Sequence, residues 1–386
     1  MIGRWVFGVN SRAAPYRIQL TPQKQPSMYK NHSTSCGIIE GFFGRTWSWE
    51  DRKNYAQFLA QHQYDFYIYA PKSDKNLRRE WQTDWPEETK VHLRELREVY
   101  RDQQISFGIG LSPHEIYLDN SHDQRNQLVT RIKEINQLEP DILCILFDDM
   151  RGDIPHLAQI QIDIAHQAAD ASTAKKIIFC PTYYSFDPVL EKVFGQMPEH
   201  YWQSFSRHLD KSIDMFWTGE KVCSSNYPTS HLDTVAELLG RKPFLWDNYP
   251  VNDSAVKSNL LQLRAFDQSH RLLNGKLAGH AVNPMNQPWL SQLPLASLPL
   301  AYENPHTYNP TLAFTQITTT LCGEKLAQQL EQDLHLLQDQ GLKKLTDNEK
   351  IELRARYQQF TNNHYAQEII DWLDGKYEFD PACLTD

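Results

Sequence analysis

The sequence, 386 residues long, predicts an α/β fold: a (β/α)8 TIM barrel with a short N-terminal arm and a C-terminal helical extension. Strand-like apolar runs end near Glu40, Ala70, Gly110, Phe147, Pro181, Trp217, Asp247 and Val282. Successive ends lie about 30 to 40 residues apart with amphipathic segments between them, the period of one strand–helix unit. The run Ile142-Leu-Cys-Ile-Leu-Phe147 reads as a strand covered on both faces, as a parallel sheet inside a layer of helices requires. A doubly wound open sheet is the runner-up. It wants a glycine-rich phosphate loop after its first strand, and Gly41-Phe-Phe-Gly44 lacks the G-x-G-x-x-G spacing.

Residues 1–35 are rich in turn formers and are expected to be an arm packed on the barrel. From Cys36 the alternation of the first strand begins. Ser48 caps the first helix, and Pro86-Glu87-Glu88 opens the second with acids in its first turn. Helical spacing of Leu128, Ile132 and Ile135 predicts a helix over 120–138, and Val256, Leu260 and Leu263 predict another over 253–273. The eighth helix is expected over 287–302, before Asn304-Pro305 breaks the chain. The barrel is therefore placed at 36–303 and the extension at 304–386. In the extension Leu326, Leu330, Leu334 and Leu337 share a face, and Gly341 suits a C-cap. Thr346-Asp-Asn-Glu349 is a capping box for a helix running toward Trp372. These helices are expected to pack on the barrel rather than serve self-association, and no site residue is expected among them.

A formal net charge of −9, with the charges interspersed, gives no electrostatic support for binding nucleic acid or an anionic membrane. No apolar run approaches the ~20 residues of a membrane span. Arg4, Asn10 and Arg12 interrupt the N-terminal segment where a signal peptide would need its apolar core. Six cysteines, Cys36, Cys144, Cys180, Cys223, Cys322 and Cys383, lie far apart without a C-x-x-C, and read as reduced thiols. A cytoplasmic protein is expected. Asn252-Asp-Ser254 matches a glycosylation sequon but falls among the site residues below, and is discounted.

A barrel enzyme builds its site from the C-terminal ends of its strands. Those ends offer Gly41-Phe42, Lys72, Ser112-Pro113, Asp148-Asp149, Tyr183-Tyr184, Trp217-Thr218, Trp246-Asp247-Asn248 with Asn252-Asp253, and Asn283. Singly each has an ordinary reading: Lys72 as a solvated charge, Tyr184 as core, the aspartates as helix caps. Collected at one rim, carboxylates, amides and aromatic faces suit a pocket for a polyol, and aromatic residues make up 12% of the chain. Adjacent carboxylates repel, so one of Asp148 and Asp149 should keep its proton to a higher pH than a free Asp. An acid beside its conjugate base is what sugar-bond hydrolysis needs.

The segments Gly37-Ile-Ile-Glu-Gly-Phe-Phe-Gly44, Tyr69-Ala-Pro-Lys72, Cys180-Pro-Thr182, Trp217-Thr-Gly219, Trp246-Asp-Asn-Tyr-Pro-Val-Asn-Asp253 and Asn283-Pro284 resemble glycoside hydrolase family 84. That family holds the β-N-acetylglucosaminidases and O-GlcNAcases, and the likeness spans about residues 36–300. It implies that Asp148 polarises the substrate acetamide and that Asp149 is general acid and then general base. It implies that Lys72, Asn248, Asp253 and Asn283 hydrogen-bond the sugar, that Gly41 lets the backbone approach the ring, that Tyr184 steadies the acetamide and that Trp246 walls the pocket. Phe43, where Tyr is common, and Ser73, where an acid is common, depart from the pattern and bear on fine specificity.

Two acids adjacent in sequence cannot readily flank a sugar ring from opposite faces, as the usual glycosidase pair does. They suit substrate assistance, in which the 2-acetamido oxygen attacks C1 and an oxazoline forms. The expected activity is a retaining exo-β-N-acetylglucosaminidase acting on a terminal N-acetylglucosaminide, with no cofactor and no metal. Two other readings differ in class. One is a sugar-binding barrel with little turnover. The other is a metal hydrolase using the aspartates with His114 or His156, for which no ligand spacing such as H-x-x-x-H exists. The leaving group, whether a glycosylated protein, a chitin fragment or a cell-wall sugar, is left open.

Overall fold

The computed structural model describes residues 34–118 and 121–381. The predicted arm, apart from Thr34 and Ser35, and Cys383 lie outside the described residues. Eight strands, β1 (Cys36–Glu40), β2 (Phe66–Tyr69), β3 (Ser106–Leu111), β4 (Ile142–Leu146), β5 (Lys176–Cys180), β6 (Asp214–Trp217), β7 (Phe244–Asp247) and β8 (Gly279–Val282), form a closed barrel in chain order. All pairings are parallel, and β8 closes on β1 through Cys36 opposite His280 and Ile38 opposite Val282. Every predicted strand end falls within one residue of the observed one. Strand β4 is buried along its whole length, because helices cover its outer face while barrel side chains fill the inside. Phe244 packs edge-on to Phe66 and Phe216. Its ring occupies the space in which a Cβ on Gly279 of the neighbouring strand would stand.

The helices follow from their caps. Helix α1 (Trp49–Gln61) starts in a reciprocal box between Ser48 and Asp51, and α2 (Glu87–Asp102) starts after Pro86 with two acids in its first turn. Helix α1 is tied to the end of β1 by a buried ion pair. The Arg52 guanidinium grips Glu40 through two bonds of 2.8 and 2.6 Å, and Tyr67 donates to the same carboxylate at 2.6 Å. Helix α3 (His122–Asn136) buries Leu128, Ile132 and Ile135 as predicted. Then come α4 (Leu157–Ala171), α5 (Val189–Phe194), α6 (Tyr201–His208) and α7 (Thr229–Leu239).

The structure corrects three helix expectations. Residues 253–273 form no α-helix, only 3-10 turns at Lys257–Asn259 and Gln268–Leu272. Leu261, Leu263 and Ala265 are buried while Gln262 and Arg264 are half-exposed. The true period there is two, and Val256, assigned to the apolar face, stands exposed. Backbone groups of this segment bond to the tail instead of to one another: Leu261 N–H to the Leu337 carbonyl at 3.0 Å, and the N–H groups of Leu263 and Arg264 to Gln338 Oε1 at 2.9 Å each. The eighth helix is split into α8 (Pro288–Leu295) and α9 (Ser297–Glu303), since Pro294 and Pro299 lack the N–H that would bind a preceding turn. The helix expected to run to Trp372 likewise becomes α12 (Asp347–Gln358) and α13 (His364–Leu373), the second capped by Asn363.

The tail packs where its apolar faces direct it. After α10 (Pro310–Cys322), helix α11 (Glu324–Leu334) buries Leu326 and Leu330, and its one-turn continuation over His335–Gln340 buries Leu337 and stops at Gly341, whose φ of 79° few other residues tolerate. Thr346 and Glu349 form the predicted capping box. Helix α13 locks onto α8: Glu368 accepts the N–H groups of Trp289 and Leu290, and Tyr365 donates to Gln292 at 2.6 Å. Among the described residues no helix is long and apolar enough to cross a membrane, and Cys144, Cys180, Cys223 and Cys322 are free thiols.

Candidate active site

At the C-terminal mouth of the barrel lies a pocket of about 290 Å³. All the residues to which the resemblance gives a role, Gly41, Lys72, Asp148, Asp149, Tyr184, Trp246, Asn248, Asp253 and Asn283, line it, while Ser112, Pro113, Tyr183 and Trp217 from the other strand ends do not. The residues with a role come from the ends of β1, β2, β4, β5, β7 and β8, so the closure of the barrel gathers groups more than 200 positions apart in the chain.

The two aspartates leave β4 in different ways. Asp148 follows Phe147 at the strand end and is buried, with one oxygen, Oδ2, paired to the Lys72 ammonium. Its other oxygen, Oδ1, is buried without a hydrogen-bond partner. A buried carboxylate oxygen left unpaired costs stability, so it marks a place where an N–H can be received. Asp149 has φ of 59°; this left-handed turn, tolerated by Asp better than by most residues, bends the chain immediately after its partner. Burial, opposed by Lys72 and Arg78 but reinforced by Asp148 and Asp253, pushes the Asp149 carboxyl up to about 6. Asp149 is therefore the member that holds its proton to a higher pH than a free Asp.

A connected set of amides forms the opposite wall. Asn283 accepts the Gly41 N–H at 3.2 Å and donates to Asn248 Oδ1 at 3.1 Å, which also accepts the Trp246 indole N–H at 3.0 Å. Asn248 in turn donates to the Val222 carbonyl at 2.8 Å. These bonds fix both amide orientations. Gly41 has a physical reason to be glycine: a Cβ there would stand 2.4 Å from the Trp246 ring, so the indole closes up on the backbone just past β1. Asp253 Oδ2 accepts the Phe43 N–H at 2.9 Å, linking the β7 loop to the β1 loop. The turn after it is capped by Ser254, whose Oγ accepts the Lys257 N–H. Asp253 is thus not a helix cap, and burial pushes its carboxyl above the ordinary Asp range. Burial and the two aspartates hold the Tyr184 phenol in its neutral, donating form.

Beneath the pocket Asp247 points the other way from its neighbours Trp246 and Asn248, as alternation along a strand requires. Its carboxylate is wholly buried and accepts from Tyr227 at 2.8 Å and the Tyr249 N–H at 3.0 Å. It also bonds His270 Nε2 at 3.1 Å and His280 Nε2 at 3.2 Å. Burial favours its protonated form, but the two histidines outweigh that and hold Asp247 far below the usual range. His270, lowered by burial and raised more by Asp247 and Asp267, is held at about 9, a cation under ordinary conditions. His280 is pushed down by burial, and its Nδ1 lies 2.9 Å from the Tyr302 hydroxyl.

Sequence reasoning missed several lining groups. Lys257, which donates to the Asn248 carbonyl at 3.3 Å, sits in the segment misread as a helix. Val222 and Cys223 come from the loop after β6, where no motif marks them. Phe379 comes from the tail, where no site residue was expected; a lone Phe beyond the last helix carries no sequence signal. His114 and His156 do not line the pocket, and among the described residues no group of three or more His, Cys, Asp or Glu is placed to hold a metal ion.

A pair of adjacent acids, one holding its proton to a raised pH, set beside an aromatic wall and two linked amides, is the equipment of a glycosidase. Comparison with known proteins agrees. The model of the β-N-acetylglucosaminidase family (NAGidase) matches residues 36–336. The chain is 28% identical over 258 residues to the protein O-GlcNAcases of Rattus norvegicus and Mus musculus, covering 64% of this chain and 28% of theirs. A mutant of the Thermobaculum terrenum O-GlcNAc hydrolase superposes with a TM-score of 0.72 at 29% identity, over 88% of this chain and 80% of that one. The chain belongs to the β-N-acetylglucosaminidase family, glycoside hydrolase family 84. It spans little more than a quarter of the length of the two rodent relatives.

Proposed function

We propose that the chain is a retaining exo-β-N-acetylglucosaminidase working by substrate assistance, with residues 36–303 as its catalytic barrel and 304–386 as an extension that completes the mouth. The observation that carries this reading is the unpartnered, buried Asp148 Oδ1 beside Asp149, whose carboxyl burial pushes up to about 6. An acetamide N–H donated to Asp148 turns the acetamide oxygen toward C1. That oxygen attacks C1 while Asp149 gives its proton to the departing oxygen, and an oxazoline closes. Asp148, paired with the Lys72 ammonium, stabilises the positive charge that grows on the acetamide. Asp149, now a carboxylate, takes a proton from water as the water opens the oxazoline at C1; two inversions retain the β configuration. No step calls for a metal or cofactor. A protein bearing O-linked N-acetylglucosamine, or a short glycan, supplies the terminal sugar; a release assay comparing a glycopeptide with chitobiose separates the two. The free thiols fit the proposed cytoplasmic setting.

The nucleophile is tested by fluorinating the N-acetyl group. Each fluorine withdraws charge from the acetamide oxygen, so kcat should fall steadily from acetyl to trifluoroacetyl substrates. A flat series, or a sugar ester trapped on an Asp or Glu, rules substrate assistance out.

Asp253 is proposed to grip two hydroxyls at the far end of the sugar, which confines the enzyme to terminal residues. Asp253→Ala should lower kcat/KM about 10- to 100-fold through loss of a charged acceptor. Stability should change by about 1 kcal/mol, from the unpaired Phe43 N–H. Internal N-acetylglucosamine in hyaluronan should be untouched, and mid-chain cleavage by the wild type would overturn the exo assignment.

A further inference from the structure

A second recess of about 380 Å³ adjoins the sugar pocket, sharing Phe43 and Lys72 with it. Its remaining lining is Gly44, Ser73, Lys75, Arg78 and Arg79 with the single acid Glu80, so cations outnumber acids. Two of these charges are answered within the wall, Lys72 by Asp148 and Lys75 by Glu80 at 2.9 Å. Arg78 is not. Its residue is 7% exposed, its Nη1 is buried without a hydrogen-bond partner, and no ion pair reaches it or Arg79 among the described residues. A buried guanidinium nitrogen lacking an acceptor is a costly arrangement unless something supplies one. The Phe43 ring stands between the two cavities, with the Lys72 ammonium 5.9 Å and the Arg78 guanidinium 5.3 Å from its centroid.

Both departures from the family pattern fall on this recess. Ser73 leaves its part of the wall uncharged, and Phe43 sets an apolar ring at the partition. Neither offers negative charge to a cavity that holds unanswered cations. We infer that the recess is a subsite for an oxyanion (carboxylate, phosphate or sulfate) carried by the substrate next to the sugar in the pocket. The inference rests on the glycosidase reading above. A planar fork of donors such as Arg78 suits a two-oxygen anion, and the exposed Arg79 and Lys75 at the rim draw it in. The anion has two sources with the same chemistry: the leaving group, or a substituent on the sugar ring itself.

The test compares matched pairs of substrates. One pair is an aryl N-acetylglucosaminide bearing a carboxylate on the ring and its carboxamide, with leaving groups of equal acidity. The other is a nitrophenyl glycoside carrying a carboxyalkyl ether on the sugar and its amide. Wild-type enzyme should prefer the anionic member of one pair by about tenfold in kcat/KM at low salt, and the pair that shows it identifies the source. The preference should vanish in Arg78→Gln and in Ser73→Asp, each variant's rate on the neutral member serving as its own reference. The exposed Ser73 site keeps the test sound where loss of buried Arg78 harms folding. Independently of turnover, inorganic phosphate should raise the Tm of the wild type and fail to do so in Ser73→Asp. Absence of anion preference in both pairs while the neutral substrates turn over, or an equal phosphate shift in wild type and Ser73→Asp, overturns the subsite. No turnover of any neutral N-acetylglucosaminide strikes at the glycosidase reading instead, and the phosphate shift still decides the recess.

Discussion

Asp149→Asn should retain the first step on substrates with acidic phenol leaving groups and lose 10²- to 10⁴-fold on alkyl glycosides such as serine-linked sugars, the range general acid catalysis supplies. The proton matters only where the departing oxygen is basic. Asp148→Asn should slow both classes alike, because it weakens acetamide attack whatever departs. In the wild type, kcat/KM for alkyl glycosides should fall as pH rises through about 6, where burial and the neighbouring Asp148 place the Asp149 proton; for acidic phenols that limb should flatten. A leaving-group series measured on both variants checks the assignment, and equal losses throughout would sink it.

The largest loss of stability should follow Asp247→Ala. The change strips four bonds from a wholly buried carboxylate and leaves the His270 cation without its main partner. Breaking one side of a buried ion pair costs about 3–5 kcal/mol, measurable by denaturant unfolding. The sign of the pH dependence is fixed by His270. Its folded value of about 9 lies above the 6.5 of a free imidazole, so its contribution is complete below about pH 6.5 and is lost as pH rises through 9. The depressed Asp247 contributes above the ordinary Asp range and is lost in acid. The gap between wild type and variant should therefore be widest between about pH 4 and 6.5 and narrow toward pH 9. A gap independent of pH would mean that His270 is not charged in the fold.

The barrel was legible because its strands announce themselves. Apolar runs such as β4 end in polar residues, and the spacing of those ends repeats. The site was legible for the same reason, since a closed barrel brings strand ends together wherever they lie in the chain, and the acid pair stands at one of them. Legibility failed where tertiary bonds replaced local ones. The segment 253–273 has leucines at spacings that fit a helix, yet its backbone groups are satisfied by Leu337 and Gln338 of the tail, a pairing invisible in local sequence. Lys257 was missed with it. The two prolines of the eighth helix were readable as breaks and were passed over. Phe379 and the recess around Arg78 depend on which loops meet in space, and nothing in spacing or composition reports that.

The bonds from the tail to the β7 loop also set an order of events during synthesis. Asn248, Asp253 and Lys257 belong to a loop whose backbone is held by Leu337 and Gln338, and Ser258 accepts the Trp372 indole N–H at 3.0 Å. All eight strands leave the ribosome before any of these partners exist. A translating chain can thus close its barrel while the sugar pocket still lacks the far wall, for on the order of 10 s at ordinary elongation rates. Nascent chains stalled after α9 should be compact and unable to capture a sugar, and capture should appear only once Phe379 has emerged.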